Sequence, residues 1–192
     1  VANEDRVVMT ALIEFVWALT GAGIAVGLYP VLRKFNPALA LGSVAGRLVE
    51  GMFVVVGALG LLALLTVSQE AVVAGSAGLS SAMTTSNLVL AVREWVHGFV
   101  ALLPFGVGAF MYYVVLYRSR LVPRWLSGWG LVAIALFMVS TLIAGFTQEF
   151  GFTTVNTVLN IPIGLQEMAL AIWLIAKGFD QRALAAASES RA

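Results

Sequence analysis

The feature that most constrains this chain is a set of five long apolar stretches, which together take up most of its 192 residues. A helix needs roughly 20 apolar residues to cross the hydrocarbon core of a bilayer, and each stretch is long enough to do so. None of them alternates polar and apolar residues with a period of two, so the strands of a membrane barrel are not expected. The sequence therefore predicts an all-α fold, a polytopic helical bundle in a membrane.

Composition favours a single membrane domain over 1–192, because 60% of the residues are hydrophobic and only 11% are charged. An ordinary soluble domain carries about 25% charged residues. A stretch rich in Gly, Ser, Thr and Ala predicts a loop over 67–87, with a short surface helix as the alternative. The polar end of the chain predicts a tail over 178–192. The five predicted spans are 7–33, 38–66, 88–117, 123–146 and 156–177.

Four of the five stretches carry ionisable residues at membrane depth. A charged side chain at the bilayer centre costs about 2.5 to 3.5 kcal/mol on insertion scales, so such groups mark a polar site or an ion-pair network. With a rise of about 1.5 Å per residue, Glu14 lies about 10 Å inside its span, and His97 and Glu167 lie about 15 Å inside theirs. The predicted polar cluster consists of Glu14, Arg47, Glu50, Arg93, Glu94, His97, Asn160 and Glu167.

We expect these residues to converge on one pocket in the outer half of the bundle. Helical spacing puts Arg47 and Glu50 on one face, and Arg93 and His97 on another. The cluster has four carboxylates and two guanidinium groups, so tight pairing leaves two acids to be balanced by protons, water, a cation or His97. Three interpretations stay open: an ion-pair network that fixes helix register, a solvated ligand or proton site, and a metal site.

His97 is the only histidine and the chain has no cysteine, which limits metal and catalytic chemistry. Common zinc sites and bis-histidine haem sites need more of these ligands, so no metal and no cofactor is predicted. The chain also lacks a GxSxG elbow and a phosphate-binding P-loop. An enzyme of this sequence would have to use carboxylates and His97 as general acid and base.

A second group of residues combines arginine and tryptophan at one predicted membrane face. Such residues are typical of headgroup contacts and of the aromatic belt of membrane proteins. They predict membrane lipids as partners, whereas nucleic acid is not expected, because the cations lie at headgroup level. The predicted interface residues are Arg118, Arg120, Arg124, Trp125 and Trp129.

The distribution of basic residues between the two faces predicts the orientation. The face richer in Lys and Arg is cytoplasmic by the positive-inside rule. The predicted location is therefore the cell (plasma) membrane, with the C-terminus on its cytoplasmic side. The opposite face carries mainly acids, such as Glu4 and Glu149. The basic residues of the predicted cytoplasmic face are Arg33, Lys34, Arg118, Arg120, Arg124, Lys177, Arg182 and Arg191.

Glycine and proline positions predict where helices pack and bend. Gly42 and Gly46 form a small-xxx-small pair, and Gly23 and Gly27 form another. Such pairs let membrane helices approach closely. Pro104 removes a backbone donor from the third span and is expected to distort that helix near the middle of the membrane.

Three stretches, LYPVLRKFNPALALGSVAGRLVEG, YRSRLVPRWLSGWG and LNIPIGLQEMALAIWLIAKGF, resemble the domain of unknown function 4386 family of bacterial multi-pass membrane proteins. The resemblance covers nearly the whole chain. It implies a further hydrophobic helix before the first predicted span, and hence six spans with both termini inside. It implies a fold and a topology, and it carries no activity.

These observations favour a non-catalytic membrane protein. It would bind a small amphiphile or lipid through the buried polar cluster, or serve as an accessory subunit beside partner membrane proteins. Two other classes stay open. A proton-coupled transporter would need a polar path into the cytoplasmic half, and an intramembrane enzyme would need His97 and Glu167 within reach of each other.

Overall fold

A computed structural model describes residues 3–75 and 78–189 of the chain. Within these ranges the regular structure is helical, without strands. The α-helices in chain order are α1 Glu4–Leu32, α2 Pro37–Ala74, α3 Leu79–Trp95, α4 Leu102–Ser119, α5 Arg124–Thr147, α6 Thr154–Ala176 and α7 Gln181–Glu189. A π-helical segment, Val96–Val100, joins α3 to α4.

Five segments of the described chain are long and apolar enough to cross a membrane: α1, α2, the run from α3 through α4, α5 and α6. The predicted all-α membrane bundle is therefore confirmed. Successive segments run in opposite directions and pack side by side. We call the end that holds the turns at 33–36, 120–123 and 177–180 the basic end, and the end that holds the 148–153 connection the loop end.

Local chemistry explains where the helices begin and end. Asn36 caps α2 by accepting the N–H of Leu39 at 3.0 Å, and Pro37 occupies the first helical position, where its missing N–H costs nothing. Arg120 and Gln148 end α4 and α5 in the left-handed conformation, with φ of 56° and 58°. This conformation is common just past the end of a helix.

The prediction of a loop over 67–87 is wrong for the described residues. Helix α2 continues to Ala74 and α3 begins at Leu79, so only a short turn separates them. Alanine is the strongest helix former, and threonine in a helix can bond back to the preceding turn, as Thr84 does to the Ser80 carbonyl at 3.1 Å. A stretch rich in Ala, Ser and Thr can therefore be helical when the two helices pack on each other.

The α2–α3 hairpin continues beyond the depth of a membrane. Helix α2 has 38 residues. At about 1.5 Å per residue it is about 57 Å long, against about 30 Å of hydrocarbon. At the other end of the chain, the predicted tail 178–192 contains α7, and Arg191 lies outside the described residues.

Most of the buried apolar residues lie between α4, α5 and α6, toward the basic end. This core includes Tyr113, Leu116, Leu126 and Ile134, together with Leu32 at the end of α1. The outward faces of the helices are also apolar, which a soluble protein would not tolerate over such an area. A bilayer around the bundle explains both observations.

One polar side chain crosses this core and links three helices. Gln166 of α6 is fully buried. Its amide nitrogen donates to the Leu126 carbonyl of α5 at 3.0 Å, and its oxygen accepts the hydroxyl of Tyr113 on α4. A buried amide is stable in such a place only when both of its ends are hydrogen-bonded, so Gln166 fixes the relative register of α4, α5 and α6.

The helix is distorted next to Pro104, as the sequence predicts. The N–H of Ala101 donates to the Val96 carbonyl at 2.9 Å, one residue further than in an α-helix. The π segment ends at Val100. The Val100 carbonyl would normally accept a hydrogen bond from the N–H of residue 104, but Pro104 has no backbone N–H to donate. His97 lies within this segment, and π-helical turns of this kind are frequent at functional sites.

Close packing between α2 and α4 depends on Gly46. A Cβ atom added there would lie 2.6 Å from the Pro104 carbonyl oxygen and 2.8 Å from the Gly108 Cα. The expected role of this glycine is thus confirmed. Nothing lies within 4 Å of the corresponding positions at Gly23 and Gly27, so that pair makes no close approach within the described chain.

We therefore expect Gly46→Ala to lower the free energy of unfolding by about 1 to 3 kcal/mol, because the new methyl group meets backbone atoms that cannot move aside. Gly27→Ala is the matched control, and it should leave stability unchanged or slightly raised. Unfolding in mixed micelles with increasing dodecyl sulfate measures both variants. Equal effects of the two substitutions would contradict a close contact between α2 and α4 at Gly46.

Candidate functional site

A first polar cluster, formed by Glu14, Arg93 and His97, joins α1 to the end of α3. The Arg93 guanidinium contacts both carboxylate oxygens of Glu14, one of them at 3.1 Å. His97 Nε2 lies 3.7 Å from Glu14 Oε2 and 3.4 Å from Arg93 Nη1. A bidentate pair of this kind is the strongest common form of ion pair and holds the two helices in one register. We call it the Glu14 cluster.

Helix α2 completes this cluster through Gly57. The Gly57 carbonyl accepts a hydrogen bond from Arg93 Nη1 at 2.5 Å. The imidazole of His97 occupies the space where a side chain at position 57 would begin. A residue with a Cβ atom there would displace His97, so this position admits only glycine without rearrangement.

A second polar cluster lies nearer the basic end and joins α2 to α6. Arg47 Nη1 donates to Glu50 Oε2 at 2.9 Å, and Nη2 lies 3.4 Å from Glu167 Oε1. The guanidinium carbon also lies 4.4 Å from the centre of the Phe105 ring, a cation–π contact. One arginine thus faces two carboxylates. We call this the Arg47 cluster.

The expectation that all these residues share one pocket is wrong. Gly57 and Glu50 are separated by two turns of α2, so the two clusters lie about 10 Å apart along the helix. Spacing within a helix correctly paired Arg47 with Glu50 and Arg93 with His97. It could not place Glu14 and Glu167, because their partners lie on other helices.

A cavity of about 660 Å³ opens beside the Glu14 cluster, between α3, α5, α6 and the 148–153 connection. Polar and apolar side chains both line it. We call it the Asn160 cavity. Its polar lining residues are Arg93, Glu94, His97, Ser140, Thr141, Asn156, Thr157 and Asn160. Its apolar lining residues are Leu90, Leu102, Ala144, Phe150, Phe152 and Ile161.

The polar lining residues include hydrogen-bond acceptors that lack donors. The Asn160 Oδ1 atom is buried and has no hydrogen-bond partner among the described residues. Glu94 lines the same cavity and makes no ion pair within 3–75 and 78–189. Arg93 and His97, in contrast, are already engaged with Glu14. The cavity therefore offers acceptors to whatever occupies it.

The loop that covers the cavity is held by Asn156. Its amide nitrogen donates to the carbonyls of Glu149 and Gly151, both at 3.1 Å, and its oxygen accepts the Ser140 hydroxyl at 3.0 Å. Phe150 packs over Gly98, with its ring 5.0 Å from that of Trp95. Asn156 thus anchors the backbone of the 148–153 connection, and Phe150 of that connection lines the cavity.

The five predicted interface residues lie at the basic end, around the α4–α5 turn. Arg118, Arg120, Arg124 and Trp125 are exposed there. Trp125 meets Trp173 of α6 edge to face at 6.5 Å. Trp129 differs, because it is half-buried against the core between the helices.

The chain belongs to the family described as Domain of unknown function (DUF4386), which matches residues 1–178. The resemblance noted from three stretches of sequence is thus confirmed. No curated protein and no solved structure matches the chain. The class that fold and family define together is a multi-pass membrane protein of this family.

Several site residues carry no clear signal in the sequence. Thr157 and Phe150 resemble ordinary helix and loop residues, and Gly57 resembles any other small residue of an apolar helix. Only their tertiary neighbours distinguish them. No group of three or more His, Asp or Glu side chains in the described ranges is arranged to hold a metal ion.

We expect Glu14→Gln to lower the free energy of unfolding by about 3 to 5 kcal/mol, because it leaves the Arg93 charge buried without its carboxylate. Glu94→Gln is the control, at the position next to Arg93. Its carboxylate is exposed and unpaired, so this substitution should change the free energy of unfolding by less than about 0.5 kcal/mol. The double variant Glu14→Gln/Arg93→Gln should recover more than half of the loss. Unfolding in mixed micelles, followed by tryptophan fluorescence, tests this order, and equal effects of the two single variants would refute it.

Proposed function

We propose that this protein is a non-catalytic binding protein of the plasma membrane that holds a small amphiphile in the Asn160 cavity. The carrying observation is the mixed lining of that cavity, which combines the unpaired acceptors of Asn160 and Glu94 with apolar side chains such as Phe150. A molecule with a polar head and a short hydrocarbon chain matches both kinds of lining residue. Binding sites for small molecules commonly measure about 300 to 1,000 Å³, and this cavity falls inside that range.

The chemistry of the polar lining residues indicates what the head group carries. Asn160 Oδ1 and the Glu94 carboxylate accept hydrogen bonds. A buried acceptor without a donor costs about 1 to 3 kcal/mol, which a bound donor would recover. A hydroxyl or amine head group supplies such donors, whereas a carboxylate or sulfate head group would be repelled by Glu94. We therefore expect an amine or an alcohol.

Transport and catalysis have less support. A path to the basic end would have to cross the apolar core around Phe105, Phe137 and Ile163, and α5 carries no ionisable residue after Arg124. His97 and Glu167 belong to different clusters, so they do not form the acid and base pair that an intramembrane enzyme would need. A role as accessory subunit remains the competing proposal, and the experiment below distinguishes it.

The binding test uses dodecylamine, dodecanol and dodecanoate as probes, with adducts of the protein counted by native mass spectrometry. Thr157→Trp fills the cavity, because Thr157 lines it. Val158→Trp adds the same bulk on the neighbouring exposed face. We expect dodecylamine and dodecanol to bind to the natural chain and to Val158→Trp, and to lose about tenfold in affinity with Thr157→Trp.

Glu94→Gln is a second site variant. It should weaken the binding of dodecylamine and leave the binding of dodecanol unchanged. Glu70→Gln, an exposed acid on the α2–α3 hairpin, is its control. Equal binding by Thr157→Trp and Val158→Trp would refute the amphiphile proposal. If the chain instead copurifies with another membrane protein at fixed stoichiometry and binds no probe, the accessory-subunit proposal replaces it.

We also propose that the basic end is cytoplasmic, since it gathers most of the Lys and Arg residues. The absence of cysteine makes a direct test possible, because each introduced thiol is unique. Ser80→Cys at the loop end should react with an impermeant maleimide on intact cells, and Gln181→Cys at the basic end should react only after permeabilisation. The reverse pattern would overturn the orientation.

A further inference from the structure

A second cavity, of about 530 Å³, lies at the basic end and is unrelated to the Asn160 cavity. It is formed where the α4–α5 turn meets the α6–α7 turn. We call it the Lys177 cavity. Its principal lining residues are Arg120, Arg124, Trp173, Lys177, Phe179 and Asp180.

The two turns that form this cavity are joined to each other. The N–H of Asp180 donates to the Leu121 carbonyl at 2.9 Å. Leu121 and Val122, which lie beneath the cavity, are almost fully buried in the core. The shape of the cavity is therefore set by this backbone hydrogen bond and by the buried residues of the turn, and not by exposed side chains alone.

Three cations face this cavity against one carboxylate. Arg120, Arg124 and Lys177 form no ion pair within the described residues. Arg124 contacts the Tyr117 ring at 5.5 Å, which leaves its charge uncompensated. The carboxylate of Asp180 is turned to the start of α7, where Oδ1 accepts the N–H groups of Arg182 at 2.8 Å and Ala183 at 3.1 Å. The cavity is therefore a concentration of unbalanced positive charge.

The helix that begins at this cavity adds to the same field. Helix α5 starts at Arg124 with no side-chain cap, so its first N–H groups and its positive dipole end lie beside the cations. An anion with several acceptor oxygens can accept bonds from guanidinium, ammonium and backbone groups at once. A phosphate group has this chemistry.

The surroundings are those of the membrane–water boundary. Trp173 lines the cavity and meets the exposed Trp125 edge to face, and Ile175, close to the end of α6, is almost fully exposed. Tryptophan pairs at this level mark the headgroup region of a bilayer. Basic pockets between helix ends at this level commonly hold lipid head groups.

We propose that the Lys177 cavity binds a negatively charged phosphate group through Arg120, Arg124 and Lys177. An anionic phospholipid is the expected carrier, because the cavity adjoins an exposed apolar and aromatic surface. Free phosphate has the same chemistry, and the experiment separates the two sources.

The test compares phosphatidylglycerol, phosphatidylcholine and inorganic phosphate, added to the full chain in an uncharged detergent. The site variant is Arg120→Asn/Lys177→Gln, in which asparagine suits the left-handed backbone of position 120. The control is Arg118→Gln/Arg182→Gln, which removes two exposed cations of the same end that do not line the cavity. Native mass spectrometry measures lipid binding, and thermal unfolding without lipid checks that each variant is folded.

We expect the natural chain to prefer phosphatidylglycerol over phosphatidylcholine, and the site variant to lose about tenfold in affinity for it. The control variant should lose less than about threefold. If millimolar inorganic phosphate raises the melting temperature of the natural chain but not of the site variant, without a lipid preference, the phosphate site stands with free phosphate as its ligand. Equal losses in both variants, or no response to either phosphate source, would overturn the proposal.

Discussion

The guanidinium groups of Arg93 and Arg47 govern the arrangement of the helices around them. A charge at membrane depth must be matched where it lies, since neither lipid nor the apolar core can solvate it. Arg93 finds its match in Glu14 of α1 and in a carbonyl of α2, and Arg47 reaches Glu167 of α6. Four of the five membrane segments are thus tied by two residues. Packing at Gly46 and the Gln166 bonds then fix the remaining contacts.

The candidate binding site follows from this arrangement. Arg93 and His97 face Glu14 of α1. Glu94 lies on the next face of the same helix and therefore lines the cavity between α3, α5 and α6. Structural and binding functions are thereby divided among neighbouring residues. The paired groups hold the bundle together, and the unpaired acceptors of Glu94 and Asn160 remain for a ligand. The two ends of the bundle offer opposite chemistry, with acceptors at the loop end and cations at the basic end.

Much of the fold was predictable because membrane spans can be recognised in a sequence by their length and their apolar composition. The distortion near Pro104 was also predictable, since it depends on a local covalent property of proline. The 67–87 loop was predicted wrongly because Ala, Ser and Thr are compatible with both loop and helix, and the contact between α2 and α3 decides between them. The same reason hid Gly57, whose importance lies wholly in the His97 ring beside it.

The sequence by itself determined that this is an all-helical, multi-pass membrane protein with ionisable residues inside the bundle, because hydropathy and helical spacing are properties of consecutive residues. It also identified every ionisable residue of the two ion-pair clusters. Only the tertiary structure decided which carboxylate each arginine meets, that the charges form two clusters instead of one, and where cavities open. Those outcomes depend on the rotation and height of one helix against another, and residues far apart in the chain set both.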